Sequence, residues 1–291
     1  MGNESVGQIS LRAENISKIV TGFALQEYRF KQLLTENSSS AWKETYFQES
    51  ATDLTAGASR NVKGVSRLAN FPYGEVTWAE KSSTMLKFGM EGVISWEDAK
   101  TNDFDVMARS LLRIARAITK SVDTYIWDVL TESRSVSLIN NVTITAGNEW
   151  DSATIANRDP IQDILNAKKE IATDNYNPDS NGFLCLSPKD YANLLGNANV
   201  RNAGQFYTSD VTRNGRVGKL LGLNIIVSNS VTADYALVVV AKECGTWKSA
   251  SPLKTETILD PGIKWTIRSW EVGCAQLTNP QACCLITNTA A

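Results

Sequence analysis

The stretch NDFDVMARSLLRIARAITKSVDTYIWDVLTE, Asn102–Glu132, decides how the rest of the chain reads. Phe104, Met107, Leu111, Ile114, Ala115, Ile118, Val122, Tyr125, Ile126 and Val129 recur with a period near 3.6, so one face of a helix is apolar along its whole length. Arg109, Arg113, Arg116, Lys120, Asp123 and Asp128 fall on the remaining faces, where solvent contact is expected. At ~1.5 Å per residue this helix is roughly 45 Å long, well beyond the globular mean of about 11–12 residues. Such a helix is a spine for other elements to pack on.

Upstream, Ile16, Ile19, Val20 and Phe23, extended by Tyr28, Leu33 and Leu34, predict a helical N-terminal segment over about 10–34. Asn37-Ser38-Ser39-Ser40 breaks it. Leu86, Phe88 and Met90 then alternate with Lys87, Gly89 and Glu91, the signature of a half-buried strand. A shorter strand is expected from Trp42 to Phe47, with an irregular tip over 54–77 that includes the turn signal Phe71-Pro72-Tyr73-Gly74. Together these suggest an extended hairpin. An isolated two-stranded arm is marginal in water, so it needs a surface to lie on, and no partner for it is evident within the chain.

Downstream of the spine, Asp159-Pro160 and Ser187-Pro188 each begin a helix, with the polar residue as cap and proline in the first turn. Strands are expected at 183–186, 223–228 and 235–241, and the tail alternates through Trp265, Ile267 and Ser269 before ending in Ala282-Cys283-Cys284-Leu285-Ile286. The mixture is α+β.

Composition narrows the chemistry. The 291 residues contain no histidine, which excludes Ser-His-Asp and Cys-His catalysis, histidine-ligated metals and a histidine pH switch. Net charge is −2, from 29 basic and 31 acidic residues, so a dedicated nucleic-acid binder is not expected and contact with DNA would run through local patches. Five cysteines without C-x-x-C spacing read as reduced, buried thiols. Met1–Val6 carries neither the basic segment nor the apolar run of a signal peptide, and no run long enough to span a membrane is present. Gly215–Leu220 fails as a phosphate-binding loop, since Leu220 replaces the magnesium-binding hydroxyl. No metal or other cofactor is expected. The acids Glu97-Asp98, Asp103 and Asp105 suit the positive end of the spine helix better than an acid–base pair. Arg60, Lys63 and Arg67, with Phe71, Tyr73 and Trp78, form a basic and aromatic group. It fits single-stranded nucleic acid or a protein interface, and the balanced charge favours the interface.

In order, the chain has a helical arm, a long two-stranded loop, a spine helix, a Ser-Pro helix after a buried strand and a glycine-punctuated β region. This resembles the major capsid proteins of tailed bacteriophages, whose shell-forming Johnson fold is shared with encapsulin nanocompartments. Local matches are Leu186-Ser187-Pro188-Lys189-Asp190-Tyr191 and Gly218-Lys219-Leu220-Leu221-Gly222-Leu223-Asn224-Ile225-Ile226-Val227-Ser228-Asn229. The resemblance implies an N-arm over 1–40, an E-loop over 41–100 lying across a neighbouring subunit, a P-domain with the spine helix over 101–185, an A-domain over 186–254 and a return to the P-domain over 255–291. It further implies a non-enzymatic shell subunit forming hexamers and pentamers of an icosahedral particle around double-stranded DNA, assembled in the host cytoplasm. Scaffold, portal and possibly cement proteins would be its partners. An encapsulin-like compartment is the alternative within the fold, and a histidine-independent enzyme the alternative outside it. With no histidine, any pH-dependent maturation would fall to carboxylates such as Glu75, Glu80, Glu97 and Asp98.

Overall fold

The computed structural model describes residues 20, 28–49, 65–71, 78–97, 104–134, 137–198, 200 and 219–290. Much of the segment read as an N-terminal helix, and the acids Asp98 and Asp103, lie outside them. The elements run β1 (Thr35–Ser38), β2 (Lys43–Glu49), β3 (Trp78–Thr84), β4 (Leu86–Ser95), α1 (Phe104–Leu130), β5 (Asn140–Thr143), α2 (Pro160–Thr173), α3 (Pro178–Asn181), β6 (Gly182–Leu186), α4 (Pro188–Gly196), β7 (Lys219–Leu220), β8 (Leu223–Val227), β9 (Tyr235–Val240), β10 (Gly245–Asp260), β11 (Lys264–Leu277) and β12 (Cys283–Thr287).

The apolar period makes α1 bury Leu111, Ile114, Ala115, Ile118, Val122, Ile126 and Leu130, against β4 and β11. Gly92 of β4 marks the closest approach of helix and sheet. A Cβ there would stand 2.4 Å from Ile114 Cδ1. One polar-face expectation fails on this helix, since Asp123 is only 3% exposed. Thr119 is buried as well, its hydroxyl returning to the Ala115 carbonyl at 3.0 Å. Trp127, outside the expected stripe, is buried too and donates its indole N–H to Thr232 Oγ1 at 3.1 Å.

One sheet has the order β1-β10-β11-β4. Its centre is the long antiparallel pair β10 and β11, which runs from Gly245 opposite Leu277 to Asp260 opposite Lys264. The second sheet, β5-β12-β9-β6-β8-β7, is mixed, with β6 parallel to β8 and antiparallel to β9. Its middle strand β9 reads Tyr-Ala-Leu-Val-Val-Val and is buried from Ala236 to Val240, as a strand covered on both faces must be. α2 packs over β12 and β5. One continuous apolar core runs beneath both sheets.

Two sequence expectations change, and one strand carries no clear signal of its own. The alternating strand β4 does not pair with the strand after Trp42; it pairs with β11, from Ser95 opposite Lys264 to Leu86 opposite Gly273. Only Phe88 and Ile94 of β4 are buried, while Leu86 and Met90 are exposed. The partner of β2 is β3. Residues 37 and 38, read as a break, belong to β1, which adds parallel to β10. Finally, β10 carries little alternation and contains Pro252, features that argue against a central strand. The chain accommodates the proline at a bulge, where the register shifts between Ser249 and Lys254.

The helix starts follow expectation. Asp159 accepts from Gln162 N at 3.2 Å, and Ser187 Oγ accepts from Asp190 N at 3.1 Å while its hydroxyl donates to Asp190 Oδ2 at 2.6 Å. All five cysteines are buried and free. Burial pushes the Cys284 thiol up to about 12 and that of Cys185 higher still, so neither supplies a thiolate nucleophile. Among the described residues no helix is long and apolar enough to cross a membrane.

Glycine substitutions test the packing of the second sheet. A Cβ on Gly182 would stand 2.1 Å from the Pro178 carbonyl oxygen and 2.4 Å from Leu223 Cδ2, whereas Gly196 has open space around it. Gly182→Ala is expected to lose about 2 kcal/mol or more in urea unfolding. Gly196→Ala, at a helix end, is expected to be neutral or gain up to about 1 kcal/mol.

Candidate assembly surfaces

Among the surfaces that folding leaves uncovered, the β2–β3 hairpin supplies an aromatic one. Tyr46 and Phe47 are consecutive on β2, so they point to opposite sides and cannot both reach the core. Phe47 is 60% exposed, and Trp78, at the start of β3, is 52% exposed. Trp42 is exposed as well. The opposite side of the hairpin rests on its own chain, contrary to the expectation that it had no internal partner. Gln276 Nε2 of β11 donates to Ser83 Oγ at 2.8 Å and to Glu44 Oε2 at 3.3 Å. Gln48, buried, donates to the Leu277 carbonyl at 3.0 Å, and Glu49 N to the Thr278 carbonyl at 3.0 Å. Glu49, which alternation puts on the Phe47 side, accepts from Tyr176 OH at 2.8 Å. Polar bonds thus hold the hairpin to its own chain and leave Phe47 and Trp78 exposed.

Of the residues singled out from sequence, Arg67, Phe71 and Trp78 are described, and all three are exposed, Phe71 at 84%. Arg60, Lys63 and Tyr73 lie outside the described residues. Trp42 and Phe47 were read only as strand. The neighbouring pair Tyr46-Phe47 was the signal that one aromatic must face out.

The second structural device is the docking of residues 28–34. Phe30, Leu33 and Leu34 are fully buried, and Phe30 stacks on Trp127 with ring centroids 5.9 Å apart. Asp123 Oδ2 accepts from Arg29 N at 2.9 Å and Oδ1 from Phe30 N at 3.2 Å. Beside it, Glu271 of β11 is buried, accepting from Tyr28 OH at 2.5 Å and from Lys31 Nζ. Lys31 Nζ also lies 3.7 Å from the Tyr28 ring centroid. On the far side, Lys242 N donates to the Leu33 carbonyl and Lys242 Nζ to the Leu34 carbonyl, each at 2.7 Å. The arm is therefore pinned to α1, β11 and the turn after β9.

Burial raises the Asp123 carboxyl to about 6, although the Arg29 and Phe30 amides and the nearby Lys31 and Arg29 charges pull the other way. Desolvation wins because residues 29 and 30 lie over the carboxylate and leave it almost no contact with water. Burial also raises Glu132, Asp163 and Asp190. Glu75 and Asp98, two of the acids expected to respond to pH, lie outside the described residues. Among the described residues no cluster could hold a metal ion.

The sequence profile described as phage capsid protein matches residues 79–286. The chain belongs to the phage capsid protein family. Among solved structures it is similar to the virus-like particle from Pyrococcus furiosus, with a TM-score of 0.63 at 12% identity over 94% of this chain and 98% of that one. It is also similar to the capsid of cyanophage P-SCSP1u, with a TM-score of 0.64 at 15% identity over 89% and 87%. A phage-related protein from Bordetella bronchiseptica gives a TM-score of 0.64 at 14% identity over 94% and 96%. At these identities the likeness is one of fold. No curated protein matches.

Asp123 makes the arm's docking testable. Asp123→Ala leaves two backbone N–H groups without their acceptor and is expected to lose about 2–3 kcal/mol, with faster hydrogen exchange at Arg29 and Phe30. Because the folded carboxyl lies above its unfolded value of about 4, the folded state holds the extra proton between about pH 4 and about pH 6. This group's contribution is thus present at low pH and lost as pH rises through about 6. Asp123→Asn should flatten that slope in denaturant titrations.

Proposed function

We propose that this capsid protein builds hexamers and pentamers that close into an icosahedral shell around double-stranded DNA. The observation that carries the reading is the β2–β3 hairpin, with Phe47 and Trp78 exposed on an element fixed to its own subunit and Trp42 exposed just before it. Exposed apolar groups of this kind become favourable when a neighbour covers them, and aromatics are enriched at such interfaces. Arg60, Lys63, Arg67, Phe71 and Tyr73 belong to the same interface.

The subunit divides into an N-arm (1–40), an E-loop (41–100), a P-domain (101–185 and 255–291) and an A-domain (186–254), with β10 crossing from A to P. The hairpin's own-chain contacts fix its direction, and a neighbouring subunit covers its outer side. The role is structural, without catalysis, in keeping with the absence of histidine and the burial of every cysteine. The subunit resides in the virion capsid, assembles in the host cytoplasm, and works with scaffold, portal and possibly cement proteins.

Negative-stain microscopy of the purified full chain, with its scaffold if one is required, is expected to show shells or capsomers. A protein that stays monomeric under every assembly condition would sink the reading. Shells that hold a cargo protein in place of DNA would redirect it to a nanocompartment. Phe47→Ser/Trp78→Ser should abolish shells while changing subunit stability by no more than about 1 kcal/mol, since surface replacements rarely exceed about 0.5 kcal/mol each.

A further inference from the structure

On the side of α1 away from the core, Arg113, Arg116 and Lys120 stand at i, i+3 and i+7, all exposed, and so form one ridge. Their placement works against the helix that carries them. Like charges three and four residues apart repel, and no basic residue occupies the last turn, where the helix dipole would favour one. The acids Asp123 and Asp128 sit toward that end instead. A helix arranged for its own stability would have these charges in the opposite order.

The adjoining surface is of the same sign. Between α1 and the turn after β8 lies a cleft of about 430 Å³, bordered by Arg29, Arg116, Lys120, Asp123 and the turn Ser228-Asn229-Ser230. It brings three cations against a single carboxylate, and Asp123 is already engaged by the Arg29 and Phe30 amides. Ser228 and Asn229 add neutral hydrogen-bond donors at the rim. In a chain of net charge −2 this is a local excess of positive charge. From Arg113 to Lys120 the ridge covers about 10 Å of helix axis, a length over which duplex DNA carries about six charges.

We propose that the ridge of Arg113, Arg116 and Lys120, widened by Arg29 across the cleft, takes the phosphates of duplex DNA and faces the shell interior. This rests on the DNA-enclosing shell reading. Contact of this kind is independent of base sequence, weak for a subunit of overall negative charge, and steeply salt-dependent.

The test compares the full-length, unassembled subunit with Arg113→Gln/Arg116→Gln/Lys120→Gln. Fluorescence anisotropy reports binding to a random-sequence duplex of about 30 base pairs as potassium chloride is raised, and electron microscopy reports shells. The slope of log K against log salt should fall by about 0.9 for each cation that contacted a phosphate, while shells still form. Arg113→Lys/Arg116→Lys should retain the slope, because the charges remain. Unchanged DNA binding by the triple variant overturns the proposal. So does a triple variant that binds DNA like the parent but no longer assembles, since the ridge would then be a subunit contact. Saturable binding of polyglutamate without binding of the duplex assigns the ridge to an acidic polypeptide and also overturns it. Failure of the unmodified protein to form shells counts against the shell reading alone, because anisotropy still reports on the ridge.

Discussion

A carboxylate buried in the middle of the long helix sets the terms for much of the fold. Asp123 is almost wholly withdrawn from water at the inner wall of a cleft, where an unpartnered charge would be far more costly than any single apolar contact could offset. The chain meets that demand by bringing residues 28–34 back across α1, so that two backbone amides point at the two carboxylate oxygens. Once there, Phe30 can stack on Trp127, and Leu33 and Leu34 close the core beneath the β9–β10 turn. Glu271 repeats the logic on β11, with Tyr28 and Lys31 as partners. The arm's position is therefore the answer to two buried acids, and its apolar residues follow.

This arrangement separates what folds the subunit from what remains available for assembly. The apolar residues of α1, β9 and β12 meet within one core. The hairpin β2–β3 is attached to that core chiefly by polar bonds from Gln48, Gln276 and Tyr176, which fix direction with little apolar burial. Its aromatics are left over by construction, because β2 alternates and only one side can rest on β11. On the proposed reading, assembly uses surface that folding never needed.

The sequence made the periodic elements legible and left obscure what depended on distant partners. The ten-position stripe on α1, the capped helices after Asp159 and Ser187, and the apolar strands β6, β8 and β9 all carry local signals strong enough to read alone. β10 could not be read in that way. Its serines, threonines and Pro252 look like loop, and only the register of β11 shows that the proline falls at a bulge. The same applies to β4, whose alternation marks a strand but says nothing of which strand lies beside it. Asp123 was misplaced because helical periodicity assigns a face, whereas an incoming segment of chain can bury a polar position on it. For the assembly surface, Trp78 and Phe71 were legible as exposed aromatics, but the hairpin's grip on its own subunit was not, since it runs through side-chain amides with no pattern in sequence.

The absence of histidine gives the buried acids a further consequence. Titration near neutral pH falls to carboxyls that burial has raised, and Asp123, at about 6, is the one that also holds the arm. Two effects oppose each other there. Ionisation supplies an acceptor to both amides, whereas protonation relieves the desolvation of a charge and turns one oxygen into a donor. The raised value says that desolvation outweighs the amide bonds. Burial also raises Glu132, Asp163 and Asp190, so their contributions share its sign. Mild acid therefore favours the folded subunit through these groups while withdrawing one acceptor from the arm. The core and the arm respond to the same proton in opposite directions, and the junction at Asp123 is where the two responses meet.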